Sequence, residues 1–125
     1  LDPDNRKVQT RTADCMIHLS LFDEAEAILT EILCHSWDRY AVYAMARIQR
    51  ATNRTEMAIQ NYKALLIEDP SDVRTIINYA ELLAATEGYE QAMAFLEARR
   101  HELHGLRDLE SAISRFSSLQ LGTHP

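Results

Sequence analysis

The chain has 125 residues, a length that suits one domain and buries about two-thirds of the unfolded surface without disulfides or a metal. Hydrophobic residues make up 46% and charged residues 26%, with only three Gly and three Pro; this is globular rather than disordered, and too poorly punctuated for a β-sandwich or a P-loop enzyme. Thirteen basic against nineteen acidic residues give a net charge of −6, which works against non-specific binding to nucleic acid or anionic membrane.

No apolar run approaches the roughly 18 residues that cross a bilayer, and no secretory-type leader opens the chain. Leu1 rather than Met stands first, as in a processed product or an excised piece. In chain order, residues 1–5 read as the tail of an upstream second helix, cut from a longer array. Helices are then expected at 6–19, 23–34, 38–51, 55–68, 72–86, 89–103 and 107–120. Apolar residues recur there at steps of three and four: Ala41, Val42, Met45, Ile48; Met57, Ala58, Tyr62, Leu65, Leu66; Ile76, Tyr79, Ala80, Leu83; Ala92, Phe95, Leu96. Breakers separate them at Ser20 to Asp23, Cys34 to Asp38, Thr52 to Thr55, Asp69 to Asp72 and Glu87–Gly88. Pro70 disfavours helix in Asp69, so Asp69-Pro70-Ser71 reads as a stop followed by an N-cap at Ser71. In the last helix Leu106, Leu109, Ile113 and Phe116 form an apolar stripe, with Arg107, Glu110 and Arg115 off it. One buried and one wet face is what a capping helix needs.

A period runs through these helices. Ala13, Ala46 and Ala80 are spaced 33 and 34 apart, and Ala25, Ala58 and Ala92 repeat those spacings twelve residues later. Pro3 and Pro70 both follow Asp and lie 67 apart; a further step of 34 from Ala80 reaches Ser114, also small. Each period is therefore a pair of antiparallel helices whose small residues let the two backbones approach.

This pattern resembles the tetratricopeptide repeat family, whose unit is a 34-residue helix–turn–helix. The small residues carry the resemblance, with the stretches Phe22-Asp23-Glu24-Ala25, Thr55-Glu56-Met57-Ala58 and Tyr89-Glu90-Gln91-Ala92 and the repeat ends Leu1-Asp2-Pro3 and Glu68-Asp69-Pro70. Gln9, Val42 and Ile76 stand where the family often has an aromatic early in the first helix, and the proline between the first two repeats is missing. The expected fold class is all-α: an α-solenoid of antiparallel helix pairs in one domain, 1–125. It comprises repeats at 6–38, 39–72 and 73–106 and a capping helix at 107–120.

Catalytic signatures are missing from the sequence: no Gly-x-Ser-x-Gly, no Gly-rich phosphate loop and no His-Glu-x-x-His. Paired acids such as Asp23-Glu24 and Asp108/Glu110 suit first helical turns, where the dipole favours them. The reading is not an enzyme, with no cofactor. His101 and His104 share a helical face around Glu102, but zinc wants a third and fourth ligand, and His35 and His124 lie in no metal motif. Cys15 and Cys34 are the only thiols. In a hairpin turning near Leu21, Cys15 lies opposite about residue 27, leaving Cys34 on the order of 10 Å further along at 1.5 Å per residue. That exceeds the roughly 7 Å a disulfide allows, so both are expected to be free and packed as small core hydrophobes. Free thiols fit a cytoplasmic compartment; a periplasmic location is the alternative if a leader has been removed.

The remaining candidate is a stripe on the first helices. Tyr40, Tyr43, Arg47 and Arg50 recur at steps of three and four, away from Val42, Met45 and Ala46. The equivalent face is Lys7, Thr10, Asp14 and Ile17 before it, and Arg74, Ile77, Glu81 and Ala84 after it, with Asn78 adjacent. The resemblance implies that first helices line a concave groove holding a peptide. Lys7, Arg47, Arg50 and Arg74 against Asp14 and Glu81 make that face electropositive on an acidic chain, suited to carboxylates or phosphate, while tyrosines supply rigid contact area. The family's carboxylate clamp, which grips acidic tails of heat-shock chaperones, wants Lys and Asn where Thr10 and Asp14 stand. It wants Asn at Ala44, and Lys then Arg at Arg74 and Asn78. Only Arg74 matches, which argues against that partner.

The expected function is a non-catalytic protein–protein interaction module, an adaptor, scaffold or assembly chaperone, with an acidic peptide on its concave face. Its groove residues are Lys7, Tyr40, Tyr43, Arg47, Arg50, Arg74 and Asn78, with no direct membrane insertion. A structural or self-associating homo-oligomeric segment of a longer solenoid is the alternative. A helical-repeat RNA binder is the weaker rival, because such modules run at about 35 residues with basic faces; no nucleic-acid partner is expected.

Overall fold

A computed structural model describes residues 3–102 and 107–123. Among them, seven α-helices follow in order: α1 (Pro3–His18), α2 (Phe22–His35), α3 (Arg39–Ala51), α4 (Thr55–Glu68), α5 (Val73–Thr86), α6 (Tyr89–Glu102) and α7 (Arg107–Thr123). The described residues contain no strand. Residues 3–5 run on into α1, which starts three residues earlier than the periodicity predicts. Leu1, Asp2, His104, Leu106 and His124 lie outside the described residues. The chain divides into two compact units, residues 1–65 and 66–125, with the division in the last turns of α4.

The α1–α2 and α3–α4 turns share one closure. Ser20 and Asn53, 33 apart, both sit in the left-handed region at φ 61° and 63°. After Ser20, Leu21 N–H donates to the Met16 carbonyl at 2.8 Å and Ser20 N–H to that of Ile17 at 3.0 Å. Arg54 and Asn53 repeat the pattern onto Gln49 (2.7 Å) and Arg50 (3.3 Å). These bonds satisfy carbonyls that the helix end leaves open and reverse the chain into the next helix. In the second unit Gly88 makes the corresponding turn at φ 103°, a conformation costing glycine nothing.

Asp38 caps α3 by accepting the Ala41 N–H at 2.9 Å, and its other oxygen meets Arg6 of α1 at 3.5 Å. The cap of α5 is Asp72, not Ser71. Asp69 captures the Ser71 N–H (3.1 Å) and hydroxyl (2.8 Å) in a local turn, and Asp72 accepts the Thr75 hydroxyl at 2.8 Å. The turn competes for Ser71, so the helix begins one residue later.

All six periodic alanines (Ala13, Ala46, Ala80, Ala25, Ala58, Ala92) are fully buried. In the first unit Ala13, Ile17, Ala25, Leu29, Ile32, Ala41 and Ile48 form one cluster, flanked by Met16, Phe22 and Met45. In the second, Leu66, Ile76, Ala80, Leu83, Ala92 and Leu96 join Leu109, Ile113 and Phe116 of α7, so α7 covers the apolar face of α5 and α6. Arg100 clasps Glu110 of α7 at 2.7 Å beside that seam.

Three expectations about the core are corrected. Cys15 and Cys34 are free but exposed: each lies two residues, about 200° of helix, beyond a buried residue (Ala13, Ile32) and so on the opposite face. Met57 is 50% exposed, a step of 100° off the stripe of Ala58, Tyr62 and Leu65. Ser114 is exposed, because α7 buries Leu109, Ala112, Ile113 and Phe116 in a register of its own.

Candidate functional site

In the first unit α1 and α3 pack side by side. Lys7 and Asp14, seven residues apart, share one stripe of α1, and Tyr43, Arg47 and Arg50 share one of α3. Arg47 and Asp14 join the stripes, Nη1 to Oδ1 at 3.3 Å. His18 meets the other oxygen of Asp14 at 3.5 Å from the next turn of α1. Lys7 and Tyr40 are exposed, Tyr40 at 68%; Tyr43, Arg47 and Arg50 are half-buried. Three cations (Lys7, Arg47, Arg50) thus stand against one carboxylate (Asp14), and the pairing with Arg47 partly offsets the positive charge.

Beneath this stripe lies Tyr62 of α4. Its ring meets Tyr43 edge to face, centroids 6.4 Å apart, and the residue is completely buried. The Arg50 guanidinium approaches the hydroxyl oxygen as a donor, short of a well-formed hydrogen bond, and the hydroxyl proton has no acceptor. Burial pushes the phenol up to about 12; the Tyr43 phenol acts in the same direction, and the Arg50 and Arg47 guanidinium groups pull against it. Arginine carries donors and no acceptor, so neither cation can take the phenolic proton. Deeper between α3 and α4, the buried Gln49 accepts from Asn61 Nδ2 at 2.7 Å.

A second charged cluster holds the far end of these helices. Arg54, the last residue of the α3–α4 turn, grips Glu26 of α2 with two bonds, 2.8 and 2.7 Å. The Arg54 hydrogen bond holds the Glu26 carboxyl below its ordinary range, against the opposing pull of burial. A carboxylate depressed by folding stabilises above its unfolded pKa, and the gain is lost as pH falls through the lower folded value. Glu26→Gln is therefore expected to lower the thermal midpoint at pH 7, with the gap to wild type closing under acid; a gap unchanged by acid would contradict the pairing.

The remaining sequence-predicted residues lie on α5 of the second unit. Arg74 is exposed and Asn78 half-buried, with Asn78 Nδ2 donating to the Arg74 carbonyl at 2.8 Å. On α6 the Arg99 guanidinium stacks 5.1 Å from the Phe95 ring centroid, and that ring packs on Tyr79 at 4.9 Å. Among the described residues no three His, Cys, Asp or Glu side chains are grouped to hold a metal ion. No described helix is long and apolar enough to cross a membrane.

No family model matches the chain, and no curated protein matches it in sequence. Solved structures do. The type III secretion translocator chaperone SycD of Yersinia enterocolitica matches with a TM-score of 0.75 at 16% identity, over 98% of this chain and 85% of that one. PcrH of Pseudomonas aeruginosa gives 0.76 at 16%, over 98% and 93%. A tetratricopeptide repeat protein of Parabacteroides merdae gives 0.75 at 17%, over 98% of this chain and 48% of its own. The chain has a tetratricopeptide-like fold. SycD has been solved with a peptide of the translocator YopD, and PcrH with the chaperone binding region of PopD.

In tetratricopeptide terms, α1, α3 and α5 are first helices and α2, α4 and α6 second helices. Every residue singled out from the sequence for the groove lies on a first helix. Tyr62 is the residue such reasoning misses. Its periodic position marks it as core, and only the geometry reveals a buried donor without an acceptor. Its being tyrosine rather than phenylalanine in that stripe was the one available signal.

Proposed function

We propose that the chain is a non-catalytic protein-binding module, a chaperone or adaptor, which holds an acidic segment of a partner on the face shared by α1 and α3. The observation that carries this reading is the set Lys7, Tyr40, Tyr43, Arg47 and Arg50, with three cations to one carboxylate on a chain of net charge −6. Tyr40 and Tyr43 offer rigid aromatic anchors, and the arginines charge-assisted bonds to carboxylates. Within the second unit, Arg74 and Asn78 on α5 are the corresponding candidates. The peptide complexes of SycD and PcrH support a role in partner binding. The exposed free thiols fit a cytoplasmic setting.

Capture from the source lysate, wild type beside Arg50→Glu and with folding checked by circular dichroism, tests the reading. A protein held by wild type and lost from the variant supports it; equal retention moves the binding surface off this face. Self-association is the second reading, favoured by the exposed Met57 and Ile67 on α4 and by the dimer described for SycD. A mass that rises with concentration in sedimentation, and falls back on Ile67→Lys, would carry it.

A further inference from the structure

Tyr62 is the one fully buried side chain among the described residues whose polar atom has no partner while the residue itself is wholly covered. Folded chains leave few such groups, because an unmade bond forfeits the full hydration of the donor. A phenylalanine would fill the same volume and make the same edge-to-face contact with Tyr43 without that penalty. The charged and phenolic groups that act on the hydroxyl are the Arg50 and Arg47 guanidinium groups, Arg50 also as a donor toward its oxygen, and the Tyr43 ring. The local chemistry lacks one thing, a negatively charged acceptor.

We infer that Tyr62, Arg50 and Arg47 form a subsite for one carboxylate, an Asp or Glu side chain of the bound partner, which accepts the Tyr62 hydroxyl and the Arg50 guanidinium together. Arg50 belongs to the last turn of α3, is half-buried and lies beside the hydroxyl; in the proposed subsite its long side chain turns outward to admit the ligand. Arg47 is already engaged by Asp14 at 3.3 Å, so it positions the entering group more than it binds it. A neutral amide at the same place would accept the phenolic proton but gain no charge from the guanidinium. The subsite therefore discriminates Glu from Gln, and it deepens the acidic-segment reading above, on which it rests.

The test uses the full chain and a random 12-residue peptide library displayed on phage, with enriched peptides resynthesised as C-terminal amides. Enriched peptides are expected to carry Asp or Glu. Tyr62→Phe should weaken them by at least about ten-fold, the worth of one hydrogen bond to a charged group. Replacing the critical Glu by Gln should weaken binding to wild type and shrink the difference between wild type and Tyr62→Phe, because a bond to a neutral amide is worth less than one to a carboxylate. The thermal midpoint of Tyr62→Phe should be equal to or above wild type, since the hydroxyl proton has no acceptor in the unliganded chain and Arg50, half-buried, can turn to water. Acidic peptides that bind both proteins equally would overturn the subsite and leave the acidic face standing. Acid-free winners, or none, would overturn both. A clear fall in thermal midpoint would also overturn the subsite, by showing that the hydroxyl already has an internal partner such as a buried water.

Discussion

Leu96→Ala is expected to lower the unfolding free energy by about 2–5 kcal/mol, the cost of removing three buried carbons and leaving a cavity that helices on several sides cannot close. Leu96 on α6 is completely buried and belongs to the cluster that joins α5 and α6 to Leu109, Ile113 and Phe116 of α7. Its loss therefore loosens both the helix pair and its cover. Ile67→Ala is the control: that side chain is 83% exposed, and removing it should change stability by less than about 0.5 kcal/mol. Urea unfolding followed by circular dichroism measures both. Since native domains hold only about 5–15 kcal/mol, the first variant should be visibly less stable at room temperature. A loss under about 1 kcal/mol would mean that α7 does not pack as described.

The second large effect is on binding. Arg50→Glu should weaken the partner by about 2 kcal/mol or more, roughly thirty-fold, as at an interface hot spot. It replaces a guanidinium by a like charge facing an acidic segment. Arg50 is preferable to Arg47 for this purpose, because reversing Arg47 also sets two carboxylates together at Asp14. The variant loses a favourable cation in the last turn of α3, a cost of under about 1 kcal/mol, so the fold survives. Titration calorimetry with the captured partner at two salt concentrations reads the change. A screened, salt-dependent loss fits the proposal, and an unchanged affinity removes Arg50 from the site.

Much of the architecture is legible in the sequence because two periods coincide there. The 33- and 34-residue spacing of Ala13, Ala46 and Ala80 and of Ala25, Ala58 and Ala92 marks where backbones must approach, and every one of the six is buried. The three-and-four spacing within each helix then assigns the inward face. The departures lie where the two periods disagree or where a local side-chain bond competes. Cys15 and Cys34 were expected inside on residue type, although helical rotation from Ala13 and Ile32 turns them outward. Ser114 follows the long period but not the local stripe of α7, and the local stripe wins because packing is decided turn by turn. Ser71 lost the cap to Asp72 because the side chain of Asp69 offered it a closer bond.

The candidate site was legible as a face but not as chemistry. Steps of three and four put Tyr43, Arg47 and Arg50 together, and helix geometry alone requires that. Spacing could not show that Asp14 of the neighbouring helix would engage Arg47 at 3.3 Å. Nor could it show that the Tyr62 hydroxyl would be sealed beneath the stripe with no acceptor. Both depend on distances between helices, which a one-dimensional pattern does not carry.

Site-specific photo-cross-linking in the source cell tests the central claim most directly, with a benzophenone amino acid in place of Tyr40 on α3 or, separately, Met57 on α4. Both positions are exposed, so neither replacement disturbs the core. The account predicts a discrete partner adduct from position 40 and none from position 57. An adduct from position 57 alone would contradict it and move the binding surface to the second helices.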